Sequence, residues 1–379
     1  MRILFFTRVF GGVTTTFIRN EIDFLTKEND FLYLCQQMDG NPADYPYVRQ
    51  IPFTENRLIK KIRWKLWQWD RLCSFVNPAY GRKVKALLSE FRPDVIHCHF
   101  AYEAIALLDN IAIDQYKVVL HFHGYDASQM IRKKSYIRKL RSILKHPNVY
   151  AVSVNRFFIQ QLSALLNIPP SRFLLLHCGV DTTLFSPGGN STEKKERLFV
   201  QVSSLALKKG HEFTLKAFAL FTQRNPGLNS RLILTGDGSR KEILSRLALE
   251  LGIADRVEFT GNVDPLTAVS LLRKADVFLH HSITPPNGDM EGIPTAIMEA
   301  MAVELPIVST IHSGIPELVE EGVNGYLVPE KEVEQYALRM EDALKIGRLP
   351  ANRQKIEAYF NKINHNQDLY RFYSTLTGA

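Results

Sequence analysis

The segment Glu291-Gly292-Ile293-Pro294-Thr295-Ala296-Ile297-Met298-Glu299 joins two carboxylates to the start of a helix. Pro294 suits a first helical turn, where its missing N–H costs nothing, and Gly292 lets a ligand approach the backbone closely. The exposed N–H groups of such a start, here from Ile293 to Thr295, form an anion site suited to phosphate. Glu299 lies inside the helix and Glu291 in the loop before it, so the pair can flank a phosphate-bearing ligand. A carboxylate also accepts from adjacent hydroxyls of a sugar. Two glutamates at this spacing mean little alone; the Gly-x-Pro and the helix after it give them weight.

Two further groups carry chemistry. Lys208-Lys209-Gly210 follows a predicted strand by a short loop, which puts cations where lysine can neutralise a diphosphate leaving group. Without that context it reads as a solvated loop, and Gly236-Asp237-Gly238 reads as a turn before a ligand loop. Histidines occur as His97-Cys98-His99 and His121-Phe122-His123, and alternation sends both members of each pair to one face of a strand. One reading is a metal site, since imidazoles are common ligands. The other is a single histidine at a cleft wall bonding a polar substrate, its neighbours being satisfied locally. No carboxylate stands at ligand spacing beside either pair, and the chain has no Asp-x-Asp.

The elements that must position these groups alternate. Strands are predicted at Arg2–Arg8, Phe31–Cys35, Val95–Cys98, Val118–Phe122, Val149–Val152 and Phe173–Leu176, with helical patterns between most of them. After the Pro/Gly/Ser/Asn run 186–192 the alternation restarts, with strands at Leu198–Val202, Arg231–Thr235, Val257–Phe259, Val277–His280 and Pro306–Ser309. That is the pattern of parallel α/β sheets. The expected architecture is two Rossmann-like doubly wound domains, 1–186 and 192–355, facing across a cleft, with ligands at the carboxyl ends of the strands. A final helix over 356–379 is expected to pack back onto the first domain.

Length and composition agree. A chain of 379 residues, 45% hydrophobic and 23% charged, suits two or three globular domains and excludes disordered or collagenous classes. Apolar runs are strand-sized, far short of the roughly 20 residues of a membrane helix. The opening residues carry charge at both ends and lack a cleavage site, so a cytoplasmic protein is expected. Cys35, Cys73, Cys98 and Cys178 show no Cys-x-x-Cys and read as reduced, buried thiols. The net charge of +8 is uneven: residues 1–189 hold 25 Lys and Arg against 15 Asp and Glu, leaving 22 against 24 in the remainder. The excess concentrates in Arg57–Lys85 and Arg132–Lys145. The first stretch contains every tryptophan, Trp64, Trp67 and Trp69, interleaved with basic residues as in a helix lying on an anionic membrane surface. A core-facing helix with a solvated basic face is the alternative. No helix-turn-helix, zinc-finger or RNP signature accompanies the charge, so nucleic acid is not expected.

Taken in order, Ala275-Asp276-Val277-Phe278-Leu279, Asp289-Met290-Glu291-Gly292-Ile293-Pro294, Glu299-Ala300-Met301-Ala302, Pro306-Ile307-Val308-Ser309-Thr310, Gly314-Ile315-Pro316-Glu317-Leu318 and Gly322-Val323-Asn324-Gly325-Tyr326-Leu327-Val328-Pro329 resemble the donor domain of retaining glycosyltransferases of family four, with the GT-B fold. At the amino end, Thr15 to Ile22, His97-Cys98-His99-Phe100 and Phe122-His123-Gly124-Tyr125-Asp126 are similar to the colanic-acid and exopolysaccharide branch. The resemblance implies that Glu291 holds hydroxyls of the donor sugar and Glu299 the ribose. It implies that the backbone of Gly292, Ile293, Pro294 and Thr295 receives the diphosphate with Lys209 as its cation, and that Val263 borders the base. His123 would be the histidine near the transferring sugar, and Gly12 would lie in a loop approaching the phosphates. One departure stands out: Ser204 occupies the place of the family's second cation, an arginine. Lys208 or Arg8 would have to substitute.

The activity so implied is metal-independent transfer of a sugar, with no cofactor beyond a UDP- or GDP-linked nucleotide sugar. The acceptor would be a glycan or a polyprenyl-diphosphate-linked oligosaccharide, in bacterial surface polysaccharide biosynthesis. His123, Lys209 and Glu291 would act on the reacting groups, with Gly12, Ser204, Val263 and Glu299 around the donor. Two alternatives remain: a metal-dependent hydrolase built on His97, His99, His121 and His123, and a nucleotide-sugar-binding protein without activity.

Overall fold

The computed structural model describes residues 1–11, 16–188 and 196–378. The chain divides into two compact units, one of 1–176 with 365–379 and one of 177–364. Gly12, expected in a phosphate-approaching loop, lies outside the described residues, as does part of the run 186–192.

Unit 1 is built on seven strands: β1 (Arg2–Phe6), β2 (Asp30–Cys35), β3 (Val48–Gln50), β4 (Val95–His99), β5 (Lys117–Phe122), β6 (Val149–Ser153) and β7 (Phe173–Leu175). They run parallel in the order β3-β2-β1-β4-β5-β6-β7. The central strands are near-continuous apolar runs because helices cover both faces. Ile3, Leu4, Phe5 and Phe6 are all fully buried. Tertiary cover comes from helices with clear local starts: Asn77 accepts from Ala79 and Tyr80 at the head of Pro78–Phe91, and Asn155 from Phe158 at the head of Arg156–Leu166.

Unit 2 repeats the scheme with β8 (Arg197–Val202), β9 (Ser230–Thr235), β10 (Val257–Gly261), β11 (Val277–His280), β12 (Ile307–Thr310) and β13 (Gly325–Val328). Their order is β10-β9-β8-β11-β12-β13, all parallel. Its core packs Phe199, Phe218, Phe221 and Leu232 against Tyr336 and Met340. The edge strands β3 and β13 escape the sequence reading because they are short, and β3 has two exposed residues of three.

The carboxyl end of the chain differs from expectation. Instead of one helix there are two, Pro350–Tyr359 and Lys362–Thr377. The break has a cause: Val180 N–H donates to the Phe360 carbonyl (2.8 Å), Lys362 N–H donates to the Val180 carbonyl (2.9 Å), and Asn361 Oδ1 caps Ile363. From His365 onward the last helix belongs to unit 1, with Leu369 and Tyr373 buried in its core.

Candidate active site

In unit 2 the strand order reverses between β8 and β11, which pair at Phe199↔Val277 and Val200↔Phe278. Open parallel sheets bind ligands at the carboxyl ends of the strands flanking such a reversal. Residues 203–210 follow β8 there, and residues 281–294 follow β11. The two loops meet through ions. Lys209 Nζ lies 2.7 Å from Glu291 Oε2, while Lys208 Nζ lies 3.2 Å from Glu291 Oε1 and 3.0 Å from Asp289 Oδ2. Burial alone would raise the Glu291 carboxyl, but Lys209 and then Lys208 hold it well below the usual carboxylate range. Burial also opposes the charge on Lys208, yet Glu291 and Asp289 outweigh it and raise that amine.

Each loop is fixed from behind. Buried Gln201 donates Nε2 to the Lys209 carbonyl (2.9 Å) and accepts from Thr214 Oγ1 (2.8 Å). Gly210 has φ +60°, and a Cβ there would stand 1.7 Å from the His281 carbonyl oxygen, so only glycine fits. On the other side Glu291 N–H donates to His312 Nε2 (3.1 Å), which leaves His312 Nδ1–H to donate to Glu330 Oε1 (2.6 Å). Glu330 also accepts from Thr284 N–H and Oγ1 at 2.7 and 2.9 Å. Gln201, Asp289, His312 and Glu330 were not singled out from the sequence. His312 carried the one available signal, a histidine just past the carboxyl end of β12.

The helix Thr295–Ala302 starts at Pro294 without a side-chain cap. The N–H groups of Ile293, Thr295 and Ala296 have no hydrogen-bond partner among the described residues. They are open anion donors beside the paired lysines. Glu299, inside this helix, forms no ion pair among the described residues, and burial pushes its carboxyl up to about 7. Ser204 is exposed in the loop after β8, and the second cation of this loop is Lys208. Val263 follows β10 at the same carboxyl edge of the sheet, next to Asp264, which caps the helix Pro265–Lys274.

His123 lies in unit 1, after β5. Asp126 builds its loop: Oδ1 accepts from the N–H of His123 (3.0 Å) and Gly124 (3.2 Å), and Oδ2 from Ala101 (2.8 Å). The four histidines share one face, with His97 Nε2 3.2 Å from His121 Nδ1 and His99 Nδ1 3.2 Å from His123 Nε2. Glu21 Oε2 stands 3.3 Å from His99 Nε2 and Glu21 Oε1 3.0 Å from His365 Nε2, while Tyr373 Oη meets His97 Nδ1. Ring nitrogens of His97, His99 and His121 lie within 4.8 Å of one another, close enough to gather round an ion. A metal hydrolase needs its ion open to water and substrate, however, and these three side chains are 0% exposed. His123, at 9%, is the one of the four with accessible surface.

The basic, tryptophan-bearing segment is a helix over Arg57–Gln68 with no buried residue, so the core-facing alternative does not hold. Leu58, Ile59, Ile62, Trp64 and Trp69 are each more than half exposed. The helix ends because the chain turns at Asp70, whose φ is +54°, and Cys73 is buried beyond it. Asp70 accepts from Ser135 N–H and Oγ at 2.8 and 2.6 Å, which ties this helix to the second basic segment. No helix among the described residues is long and apolar enough to cross a membrane.

Residues 186–360 match the family model of group 1 glycosyl transferases and residues 11–184 that of glycosyltransferase family 4. The amylovoran biosynthesis glycosyltransferase AmsK of Erwinia amylovora is 31% identical, covering 96% of each chain. WcaL of Escherichia coli (strain K12), provisionally named a colanic acid biosynthesis glycosyltransferase, is 31% identical over 74% of this chain and 70% of its own. Among solved structures, HepE of Anabaena in complex with UDP superposes with a TM-score of 0.75 over 99% of this chain and 100% of that one, at 19% identity. With both halves matched in sequence and both sheets matched in fold, this chain belongs to the family 4 glycosyltransferases of the GT-B fold.

Proposed function

We propose that this glycosyltransferase moves a sugar, with retention, from a nucleotide sugar to a glycan or lipid-linked oligosaccharide of a bacterial surface polysaccharide, without a metal ion. The observation that carries the site assignment is the convergence of Lys208, Lys209 and Glu291 beside the uncapped start of the helix Thr295–Ala302. Cleaving the bond from sugar to diphosphate puts negative charge on the leaving group, and fixed donors that meet it lower the barrier. In this reading Lys209, Lys208 and the N–H groups of Ile293 to Thr295 receive the diphosphate. Glu291, released from its lysines, turns to hydroxyls of the sugar. Ribose hydroxyls give Glu299 the donors it otherwise lacks, and Val263 borders the base. The departing phosphate takes the proton of the attacking acceptor hydroxyl on the same face, so no separate base is assigned. The names of AmsK and WcaL support a polysaccharide product. HepE complexes with UDP and with UDP-glucose, and a 30% identical GDP-mannose-dependent mannosyltransferase of Mycolicibacterium smegmatis, support a nucleotide-sugar donor linked to UDP or GDP.

A thermal-shift series tests the donor site. The matching nucleoside diphosphate, UDP or GDP, at about 100-fold its dissociation constant is expected to raise the unfolding temperature by roughly 5–10 °C, with EDTA making no difference. A flat response to every nucleoside diphosphate, or a shift abolished by EDTA, defeats the reading.

The exposed apolar and basic side chains of Arg57–Gln68 further support peripheral attachment to the inner face of the cell membrane. Each basic residue near an anionic leaflet contributes about 1 kcal/mol. The protein is expected to float with vesicles containing anionic lipid and to sediment with neutral ones; indifference to lipid charge refutes the attachment.

A further inference from the structure

Residues of the helix Arg57–Gln68, together with Arg8, Phe75 and Tyr102, line a pocket of about 500 Å³ in unit 1. Its wall has two characters. Arg8, Arg57, Lys60, Lys61 and Arg63 face it and, among the described residues, no acidic one does. Trp64, Trp67, Phe75 and Tyr102 supply aromatic surface.

The cations are not equivalent. Arg63 forms a bidentate pair with Glu55 and stacks over the rings of Phe53 and Phe75, 5.2 and 4.9 Å from their centroids. Arg8 lies 5.7 Å over Phe75 and donates Nε to Gln36 (3.3 Å). These two build the wall. Arg57, Lys60 and Lys61, by contrast, make no ion pair among the described residues. Three unpaired cations around one cavity repel one another, and an anion there relieves the repulsion.

The aromatic part is also built. Trp67 packs on Tyr102 with centroids 5.5 Å apart, and Lys133 Nζ lies 4.6 Å from the centroid of the Trp67 ring while donating to the Trp67 carbonyl (3.0 Å). The apolar surface does not stop at the rim: Trp64 and Leu72 both line the pocket and are 57% and 40% exposed. A compact sugar phosphate has no use for that extension, whereas an apolar chain does. We infer that this pocket binds an amphiphilic phosphate or diphosphate, its anion at Arg57, Lys60 and Lys61 and its chain along Trp64, Trp67 and Leu72. The inference rests on the lipid-linked acceptor proposed above and assigns that acceptor a site.

All three tryptophans of the chain, Trp64, Trp67 and Trp69, lie in or just after this helix, so intrinsic emission reports the pocket directly. Titration with farnesyl diphosphate is expected to change the emission saturably, with inorganic pyrophosphate and farnesol each binding at least about 10-fold more weakly. The double variant Lys60→Glu, Lys61→Glu, both exposed positions, is expected to weaken farnesyl diphosphate by about 10-fold or more while keeping the parent unfolding temperature. UDP should leave the emission unchanged. Equal binding of farnesol and farnesyl diphosphate, equal binding of pyrophosphate and farnesyl diphosphate, no saturable change, or an unaffected double variant each overturns the inference. If farnesyl diphosphate fails while UDP or GDP still raises the unfolding temperature, the pocket assignment falls and the transferase reading stands; the reverse result separates them in the other direction.

Discussion

Lys209→Met is expected to lower sugar-transfer turnover by roughly 10²–10³, the loss typical of removing one fixed electrostatic donor from a developing anion. Methionine keeps most of the length and apolar stem and removes only the charge. The backbone should hold, because Gln201 still donates to the carbonyl of residue 209 and Gly210 still packs on the His281 carbonyl. Glu291 keeps Lys208 at 3.2 Å, so the variant does not strand a buried carboxylate. The effect should therefore appear in turnover and not in the unfolding temperature of the free protein. Single-turnover transfer with a saturating donor is the direct measurement. Turnover within about threefold of the parent removes Lys209 from the reacting groups. Because Ser204 brings no charge, Lys208 is the second cation of this loop, and Lys208→Met added to Lys209→Met should deepen the loss.

Unit 1 should lose stability steeply as pH falls below about 6.5. Burial, followed by neighbouring histidines, holds His97, His121 and His123 well below their ordinary value of 6.5, so the folded state keeps them neutral. The unfolded chain takes up protons in this range and the folded one does not. Stability is thus complete above pH 6.5 and falls below it by up to about 4 kcal/mol per pH unit for three such groups. Glu21, His365 and Tyr373 face the same cluster. Glu21 is held well below 4.5, burial being outweighed by His99 and His365, so it adds nothing between pH 5 and 6.5. Burial raises Glu103 and Asp126 from 4.5 and 3.8, which acts in the opposite sense and softens the acid end. Against a total of roughly 5–15 kcal/mol for a domain, the loss is large. Denaturant unfolding followed by tryptophan emission reads unit 1, where all three tryptophans lie. Equal midpoints at pH 7.5 and 5.5 would refute the argument.

Much of this was legible locally. Alternating apolar strands and helical patterns announce two parallel sheets because strands covered on both faces must be apolar throughout, and nearly every such strand appears where its run predicts. The edge strand β3 hid because it is short and half polar, and the final helix broke at Phe360 because Val180 claims the backbone there. Interleaved basic and aromatic residues pointed to a helix in Arg57–Lys85 but not to its exposure, since composition does not say what, if anything, covers a face.

The sequence by itself determined which residues start the helix at Thr295, place a carboxylate on each side of that start, and set two lysines before Gly210, because caps, turns and helix starts are properties of neighbours along the chain. Only the tertiary structure decided that Lys208 meets Asp289 across 81 positions, Lys209 meets Glu291 across 82, and His97 meets Tyr373 across 276. Those meetings depend on strand order. The reversal between β8 and β11 brings two distant loops to one edge, and the crossing of the last helix onto unit 1 brings Tyr373 and His365 to the histidines. Sheet order is settled by long-range pairing and burial, which no local pattern encodes.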